Sequence, residues 1–128
     1  HRIRTGELGA RQLLTPADTL ARHKYSRAWL DQEIGVSTQP CVVVTHHGPS
    51  VSTCQPWYRE DLLTTAFLNT ADNLLRAPVQ AWIFGHTHQT LTTAVNGIPL
   101  LTNQRGYPRE GLPFSWDTVI EIQSDIRP

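Results

Sequence analysis

Four of the six histidines in this 128-residue chain occur in two pairs, and each pair follows a short apolar run. They are His46, His47, His86 and His88. Imidazole is a common ligand of zinc-like metals, and because it titrates near neutral pH, uncharged rings are available to bind a cation. The pattern therefore predicts a metal site built at strand ends. His1 and His23 follow no such run and are interpreted as ordinary surface or core histidines.

Two predicted β-strands position these histidines. Residues 41–45 are apolar or β-branched and end before His46, and residues 79–84 are largely apolar and end at Gly85. Between them, residues 57–76 carry an apolar stripe at helical spacing, which predicts a strand-helix-strand crossover with parallel strands. The carboxyl ends of such strands meet at one edge of the sheet, where open α/β sheets place their sites.

The segment after the second strand is predicted to be extended. In an extended chain His86 and His88 lie on the same side, so that one site could hold both rings. Gly85 is expected to make the sharp turn beside this site, because it has no Cβ. The first strand is apolar throughout and is therefore predicted to be covered on both faces.

A first helix is predicted directly after an irregular lead-in of residues 1–14. Thr15 is expected to cap its N-terminus, Pro16 to occupy its first turn, and Gly35 to end it. Its apolar positions approximate one helical face that would be buried. These positions are Leu20, Ala21, Ala28, Trp29, Leu30 and Ile34.

The last third of the chain is predicted to change to antiparallel β-structure. Residues 90–95 and 98–102 form a hairpin around Asn96-Gly97, which is the strongest two-residue turn signal. A loop and a last alternating strand at residues 116–123 follow.

Three motifs together resemble those of a known enzyme family. Gly85-His86-Thr87-His88 resembles the GHxH motif of the calcineurin-like metallophosphoesterases, and residues 43–46 (V-V-T-H) resemble their preceding VxxH motif. Residues 103–110 (N-Q-R-G-Y-P-R-E) are similar to an N-x-R-G-Y-P-x-E segment of some bacterial branches. The motifs occur in the family's order and extend over nearly the whole chain.

The resemblance implies a fold and a domain organisation. The expected class is α/β of the α+β sandwich type, with residues 1–128 as the C-terminal half of a two-sheet metallophosphoesterase sandwich flanked by helices. The family's upstream D-x-H, G-D and G-N-H motifs, which supply carboxylates, an asparagine ligand and a catalytic histidine, do not occur in this sequence. The chain is therefore expected to be an incomplete part of a single domain.

The resemblance also implies roles for individual residues. His46 and His86 are expected to share one metal ion, and His88 to bind a second one. His47 is expected to support a ligand or to reach the phosphate, and Asn103 and Arg105 are candidates for substrate binding. The intact domain would hold two divalent ions, such as manganese, iron or zinc. This chain lacks the family's carboxylate ligands and is expected to hold at most one ion, weakly.

The function that the resemblance implies is metal-dependent hydrolysis of a phosphomonoester or phosphodiester at a dinuclear centre. The parent protein would be a hydrolase acting on a phosphorylated small molecule or a nucleotide, whereas this chain alone is expected to be inactive. Two alternatives remain open. The chain could be a non-catalytic interaction module derived from the same fold, or its histidines could hold a single structural metal.

Composition limits the classes of partner and the compartment. Eleven basic residues balance eleven acidic ones, so the chain lacks the basic footprint of a dedicated nucleic-acid binder. No apolar run approaches the roughly 18 residues of a membrane span. Cys41 and Cys54 do not make a disulfide framework, which favours reduced thiols in the cytoplasm. Half of a sandwich would expose sheet edges, and self-association through these edges is a further prediction.

Overall fold

The computed structural model describes residues 2–5, 10–55, 58, 61, 64 and 66–122. The chain divides into two compact units, an N-terminal unit His1–Gly35 and a C-terminal unit Val36–Pro128. The prediction of a single domain over residues 1–128 stays a prediction.

The N-terminal unit consists of a β-hairpin and the long helix. Strand β1 (Arg2–Thr5) pairs antiparallel with β2 (Ala10–Leu13), so the predicted irregular lead-in is wrong for these residues. Helix α1 (Pro16–Val36) begins where the sequence predicts. The Thr15 hydroxyl accepts a hydrogen bond from the Asp18 backbone N–H (3.2 Å), and the Asp18 carboxylate accepts from the Thr15 backbone N–H (2.9 Å). This reciprocal cap satisfies two N–H groups that helix geometry leaves without partners.

The apolar face predicted for α1 is not buried. Ile34 is buried, whereas Leu20 and Trp29 are each more than half exposed. The reason is geometric, because at 100° per residue the apolar positions of this helix are spread around its circumference and form no single stripe. The helix continues one residue past Gly35. Among the described helices, none combines the length and apolar composition that crossing a bilayer requires.

The C-terminal unit is built on a mixed four-stranded sheet with the order β3-β4-β6-β5. Its strands are β3 (Cys41–Val44), β4 (Val79–Ile83), β5 (Thr90–Val95) and β6 (Ile98–Asn103). The β3/β4 and β4/β6 pairs are parallel, and β5/β6 is antiparallel. Trp82 of β4 and Leu100 of β6, which are directly paired, are the largest fully buried side chains of the two central strands. The predicted α/β class of the α+β sandwich type is confirmed, with one α-helix and a four-stranded mixed sheet among the residues that the structure describes.

Strand β3 is less covered than the sequence predicts. It lies at the edge of the four-stranded sheet, and its burial pattern ends with Val44, which is 68% exposed. Burial on both faces is therefore wrong for this strand, because an apolar run alone cannot distinguish a central strand from an edge strand. Self-association through sheet edges stays a prediction.

The predicted β5/β6 hairpin is confirmed, and β6 runs one residue further than expected. Asn96 and Gly97 have φ values of 53° and 78°, the positive angles that a two-residue turn of this type requires, and Val95 pairs with Ile98 across it. The Asn96 side chain also donates to the carbonyls of Asp72 (3.2 Å) and Leu75 (3.1 Å). The turn is thereby attached to the segment that precedes β4.

The helix predicted for residues 57–76 is wrong for the described part of that range. Asp61 and Thr64 make backbone bonds to residues three positions earlier, which is a tighter turn than an α-helix. Further on, the Asn69 N–H bonds to the Gly48 carbonyl (2.8 Å), and the Ala71 N–H bonds to the Pro49 carbonyl (2.7 Å). Two causes explain the difference. The carbonyls of Gly48 and Pro49, in the loop after β3, compete for the backbone N–H groups of this segment. Its Asn, Thr and Asp residues are also weak helix formers. Residues 56, 57, 59, 60, 62, 63 and 65 lie outside the described residues.

The last predicted strand is also wrong where it can be assessed. Residues 116–122 form no strand, and Trp116 and Val119 are 78% and 84% exposed. An alternating sequence forms a strand only when a sheet edge pairs with it. In residues 104–122 we find no such pairing. Gln123 lies outside the described residues.

Candidate metal centre

Backbone hydrogen bonds continue to join the two chain segments beyond the last residues of β3 and β4. The Thr45 N–H donates to the Ile83 carbonyl (3.0 Å), and the Gly85 N–H donates to the His46 carbonyl (3.0 Å). Because the parallel pairing continues in this way, the first residues after both strands become neighbours. The two histidine pairs, which follow these strands, therefore start at the same edge of the sheet, as predicted.

Three imidazoles converge at this edge, and we call His46, His47 and His86 the histidine cluster. The ring centroids lie 4.6 Å apart for His46 and His86, 4.8 Å for His47 and His86, and 5.0 Å for His46 and His47. One nitrogen from each ring can be chosen so that all three lie within 4.8 Å of one another. His46 and His86 come together as predicted, and His47, whose role the sequence left open, joins them.

The backbone at His86 takes a strained shape rather than the predicted extended one. His86 has a φ of 71°, and the Thr87 N–H bonds to the Gly85 carbonyl (2.9 Å), which makes a γ-turn centred on His86. His88 also has a positive φ, 46°. Residues other than glycine rarely adopt such angles, at a cost of about 1–3 kcal/mol each, and they cluster at functional sites.

Gly85 does not have the role that the sequence suggested. Its φ is not in the left-handed region, and a Cβ placed on it would lie 3.6 Å from the His46 carbonyl oxygen, an ordinary contact. The sharp turn is therefore made by the histidine and not by the glycine before it.

Gln104 holds the histidine-bearing loop in place. Its side-chain oxygen accepts from the His88 N–H (2.9 Å), and its side-chain nitrogen donates to the hydroxyls of Thr87 (2.8 Å) and Thr102 (2.7 Å). Sequence reasoning missed this residue, because its partners are 2, 16 and 17 positions away and no local pattern indicates the pairing.

The surroundings of His86 favour its uncharged form. Burial lowers the pKa of His86, and the neighbouring His46 and His88 lower it further, since another positive charge beside them is unfavourable. The ring of Phe67 stacks on His86 with centroids 4.9 Å apart. An uncharged imidazole can donate its lone pair to a cation, so the environment suits a metal ligand.

His88 lies outside the histidine cluster and has another partner. Its Nδ1 lies 2.9 Å from a carboxylate oxygen of Glu110, and its ring contacts the Tyr107 ring edge to face. The second Glu110 oxygen accepts from the Tyr107 N–H (2.7 Å), and this bond holds the loop between the two residues. The hydrogen bond from His88, and then that from Tyr107, lower the pKa of Glu110. The predicted metal-ligand role of His88 stays a prediction.

The predicted substrate residues contact the segment that follows them. The Asn103 amide donates to the Ser115 carbonyl (2.6 Å) and accepts from the Ser115 N–H (3.0 Å). The Arg105 guanidinium lies over the ring of Trp116, 5.8 Å from its centroid. Neither residue lines the cavity described next, and their role in substrate binding stays a prediction.

A cavity of about 320 Å³ opens beside the histidine cluster. Its wall includes His86, Thr87, Phe67, Leu68 and Tyr58. His86 is therefore shared between the cluster and the cavity. Sequence reasoning missed this cavity, because it is bounded by the loop that was predicted to be a helix.

Comparison with known proteins gives one match without an assigned function. No family model matches the chain, and no solved structure matches it. The protein "Uncharacterized protein L509" of Acanthamoeba polyphaga mimivirus is 34% identical over 116 residues, which are 85% of this chain and 41% of the viral protein. The chain thus spans about two fifths of the length of this relative.

Proposed function

We propose that this chain supplies the histidine ligands of a metal-dependent phosphoesterase, a hydrolase of phosphomonoesters or phosphodiesters. The observation that carries the proposal is the convergence of His46, His47 and His86 at the carboxyl ends of two parallel strands. The resemblance of residues 43–46 and 85–88 to two metallophosphoesterase motifs gives the reaction class.

The donor set of the histidine cluster fits one transition-metal ion. Nitrogens bound at about 2.0–2.1 Å to one tetrahedral zinc-like ion lie roughly 3.3–3.4 Å apart. The three nitrogens here lie within 4.8 Å of one another, and rotations of the rings bring them closer. Burial and the neighbouring histidines lower the pKa of His86, which favours the uncharged form that binds a metal.

The same donor set does not fit two ions. In the part of the chain that the structure describes, no carboxylate joins the cluster. Two divalent ions about 4 Å apart repel each other by about 4 kcal/mol even at the dielectric constant of water, and anionic ligands normally compensate this repulsion. Isolated, the chain is therefore proposed to bind a single ion weakly and to be inactive, and the parent protein to hold two.

The residues of this chain then have distinct tasks. A divalent ion, when bound, supplies positive charge to the phosphoryl oxygens. His46 and His86 hold the ion, and His47 either completes the ligand set or meets the phosphate. Phe67 stacks on one face of the His86 ring and restricts its orientation. Gln104 fixes the loop that carries His86, so that the ring does not need to reorganise when a ligand binds.

A structural metal site is the weaker alternative. Closed structural sites use four protein ligands, whereas the cluster has three members among the residues that the structure describes. His46 is exposed, and His86 borders a cavity, which leaves room for an exogenous ligand. The alternative of a non-catalytic interaction module remains, and metal binding distinguishes it from the proposal.

Titration with Co²⁺, followed by its visible absorption, tests the metal site. We expect one ion per chain, and we expect His46→Ala and His86→Ala each to weaken binding by about tenfold or more, equivalent to about 1.4 kcal/mol. His23→Ala, on the exposed surface of α1, is the matched control and should bind as the original chain does. An equal loss in the control, or no loss in either cluster variant, contradicts the proposal.

A second measurement tests whether the metal-loaded site binds phosphate and hydrolyses phosphoesters. The Co²⁺-loaded chain should bind inorganic phosphate in calorimetric titrations, and the metal-free chain should not. Hydrolysis of 4-nitrophenyl phosphate and bis(4-nitrophenyl) phosphate by the isolated chain should be absent. Turnover that disappears in His86→Ala would show that the inactivity expected of the isolated chain is wrong.

A further inference from the structure

The cavity beside His86 is placed to receive the part of a ligand that lies beyond its phosphate. His86 belongs to both the histidine cluster and the cavity wall. An ester whose phosphate contacts the cluster therefore has its organic group beside or within this cavity. A volume of about 320 Å³ lies at the lower end of the range for small-molecule sites, which is too small for a folded peptide or a polynucleotide.

The cavity wall has an apolar, aromatic part beside its polar side chains, which are those of Gln55, Asp61, Thr64, His86 and Thr87. Cys54 and Leu68 are buried, while Phe67 and Tyr58 keep 38% and 52% of their surfaces exposed. Aromatic side chains with accessible surface bind flat apolar rings well, through area buried and ring-to-ring contact. The aromatic part of the wall, Tyr58 and Phe67, thus favours a flat aromatic group over an aliphatic polyol.

We propose that the cavity binds the alcohol part of the phosphoester and that this part is a single aromatic ring system, so that the substrate class is the aryl phosphates. The inference rests on the proposed phosphoesterase function and adds the leaving group to it. Tyr58 and Phe67 are the residues that provide the preference.

Calorimetric titration of the Co²⁺-loaded chain with three probes tests this inference. The probes are phenyl phosphate, glycerol 3-phosphate and inorganic phosphate. We expect phenyl phosphate to bind about tenfold more tightly than glycerol 3-phosphate, a difference equivalent to about 1.4 kcal/mol. Glycerol 3-phosphate should bind no better than inorganic phosphate, because its hydroxyl-bearing chain cannot make the ring contacts with Tyr58 and Phe67.

Three variants assign the preference to the cavity. Phe67→Ala and Tyr58→Ala should remove the advantage of phenyl phosphate. The readout in each variant is the ratio of the affinities for phenyl phosphate and inorganic phosphate, so that a general loss of binding through the His86 ring, on which Phe67 stacks, is separated from loss of the aryl preference. Phe114→Ala is the matched control, since Phe114 packs against Trp116 and not against the cavity, and it should keep the preference.

The outcomes separate this inference from the function on which it rests. Equal affinity for all three probes, or a preference that survives Tyr58→Ala, overturns the aryl assignment and leaves the phosphoesterase proposal in place. Absence of metal-dependent binding of any probe overturns both.

Discussion

Gln104 is the residue on which the shape of the histidine-bearing loop depends most directly. Its three side-chain hydrogen bonds join the His88 backbone, Thr87 and the buried Thr102. In Gln104→Leu these partners lose their hydrogen bonds at nearly unchanged volume, which should lower the free energy of unfolding by about 1–3 kcal/mol. Because the strained turn at His86 is then less restrained, Co²⁺ affinity should fall as well. Urea unfolding and the Co²⁺ titration measure the two effects.

The control for this prediction is Gln32→Leu. Gln32 is exposed on α1, so the same change of side chain should leave both quantities almost unaffected. If the two variants behave alike, the bonds of Gln104 do not position the loop.

Two glycines beside the histidine pairs should respond differently to alanine. A Cβ on Gly48 would clash with the Thr53 hydroxyl and lie 2.8 Å from a methyl group of Leu68, and both neighbours are buried. Gly48→Ala should therefore cost about 1–3 kcal/mol. Gly85→Ala meets ordinary contacts only and should stay within about 0.5 kcal/mol of the original chain. Urea unfolding of both variants decides, and a larger loss for Gly85→Ala would contradict this explanation.

At the level of elements, the N-terminus of α1 depends on the reciprocal cap between Thr15 and Asp18. Hydrogen bonds from the Thr15 hydroxyl and backbone lower the pKa of Asp18 below its ordinary value of 3.8. A carboxyl with a lowered pKa stabilises the fold above its ordinary value, and this contribution is lost as the pH falls through the folded-state pKa. Thr15→Ala should reduce the helical far-ultraviolet circular dichroism at neutral pH and weaken its loss on acidification.

Ser26→Ala is the matched control for the cap. It removes a hydroxyl from the exposed middle of α1 and should retain or increase helicity. Retained helicity in Thr15→Ala, with an unchanged acid response, would show that the cap does not stabilise the helix.

The elements that the sequence predicts correctly are those with local causes. Thr15-Pro16 and Asn96-Gly97 determine a helix start and a turn through their own backbone preferences. The segment 66–76 has apolar residues at helical spacing, yet its backbone bonds to Gly48 and Pro49, which no local pattern reveals. The strand expected at residues 116–123 does not form in its described part, residues 116–122, because an alternating pattern needs a sheet edge to pair with.

The candidate site also has features that the sequence predicts and features that it does not. The approach of His46 and His86 follows from two strand ends in a parallel pair, which the sequence indicates. The inclusion of His47 depends on ring orientation, and the separation of His88 depends on the turn at His86 and on Glu110, which lies 22 residues further along the chain. These depend on non-local contacts, which is why the predicted trio and the observed cluster differ by one histidine.

For the whole molecule, the C-terminal unit contains everything that the proposed site requires. The four-stranded sheet, the histidine cluster and the cavity all lie after residue 36, and within residues 13–36 Ile34 is the single buried apolar side chain. We therefore expect a shortened chain of residues 36–128 to fold and to bind Co²⁺ within about twofold of the full chain, a difference of about 0.4 kcal/mol. Two-dimensional amide NMR spectra and the Co²⁺ titration of both chains provide the comparison. Collapsed amide dispersion in the shortened chain would show instead that residues 1–35 belong to the same cooperative unit, as a single domain over residues 1–128 requires.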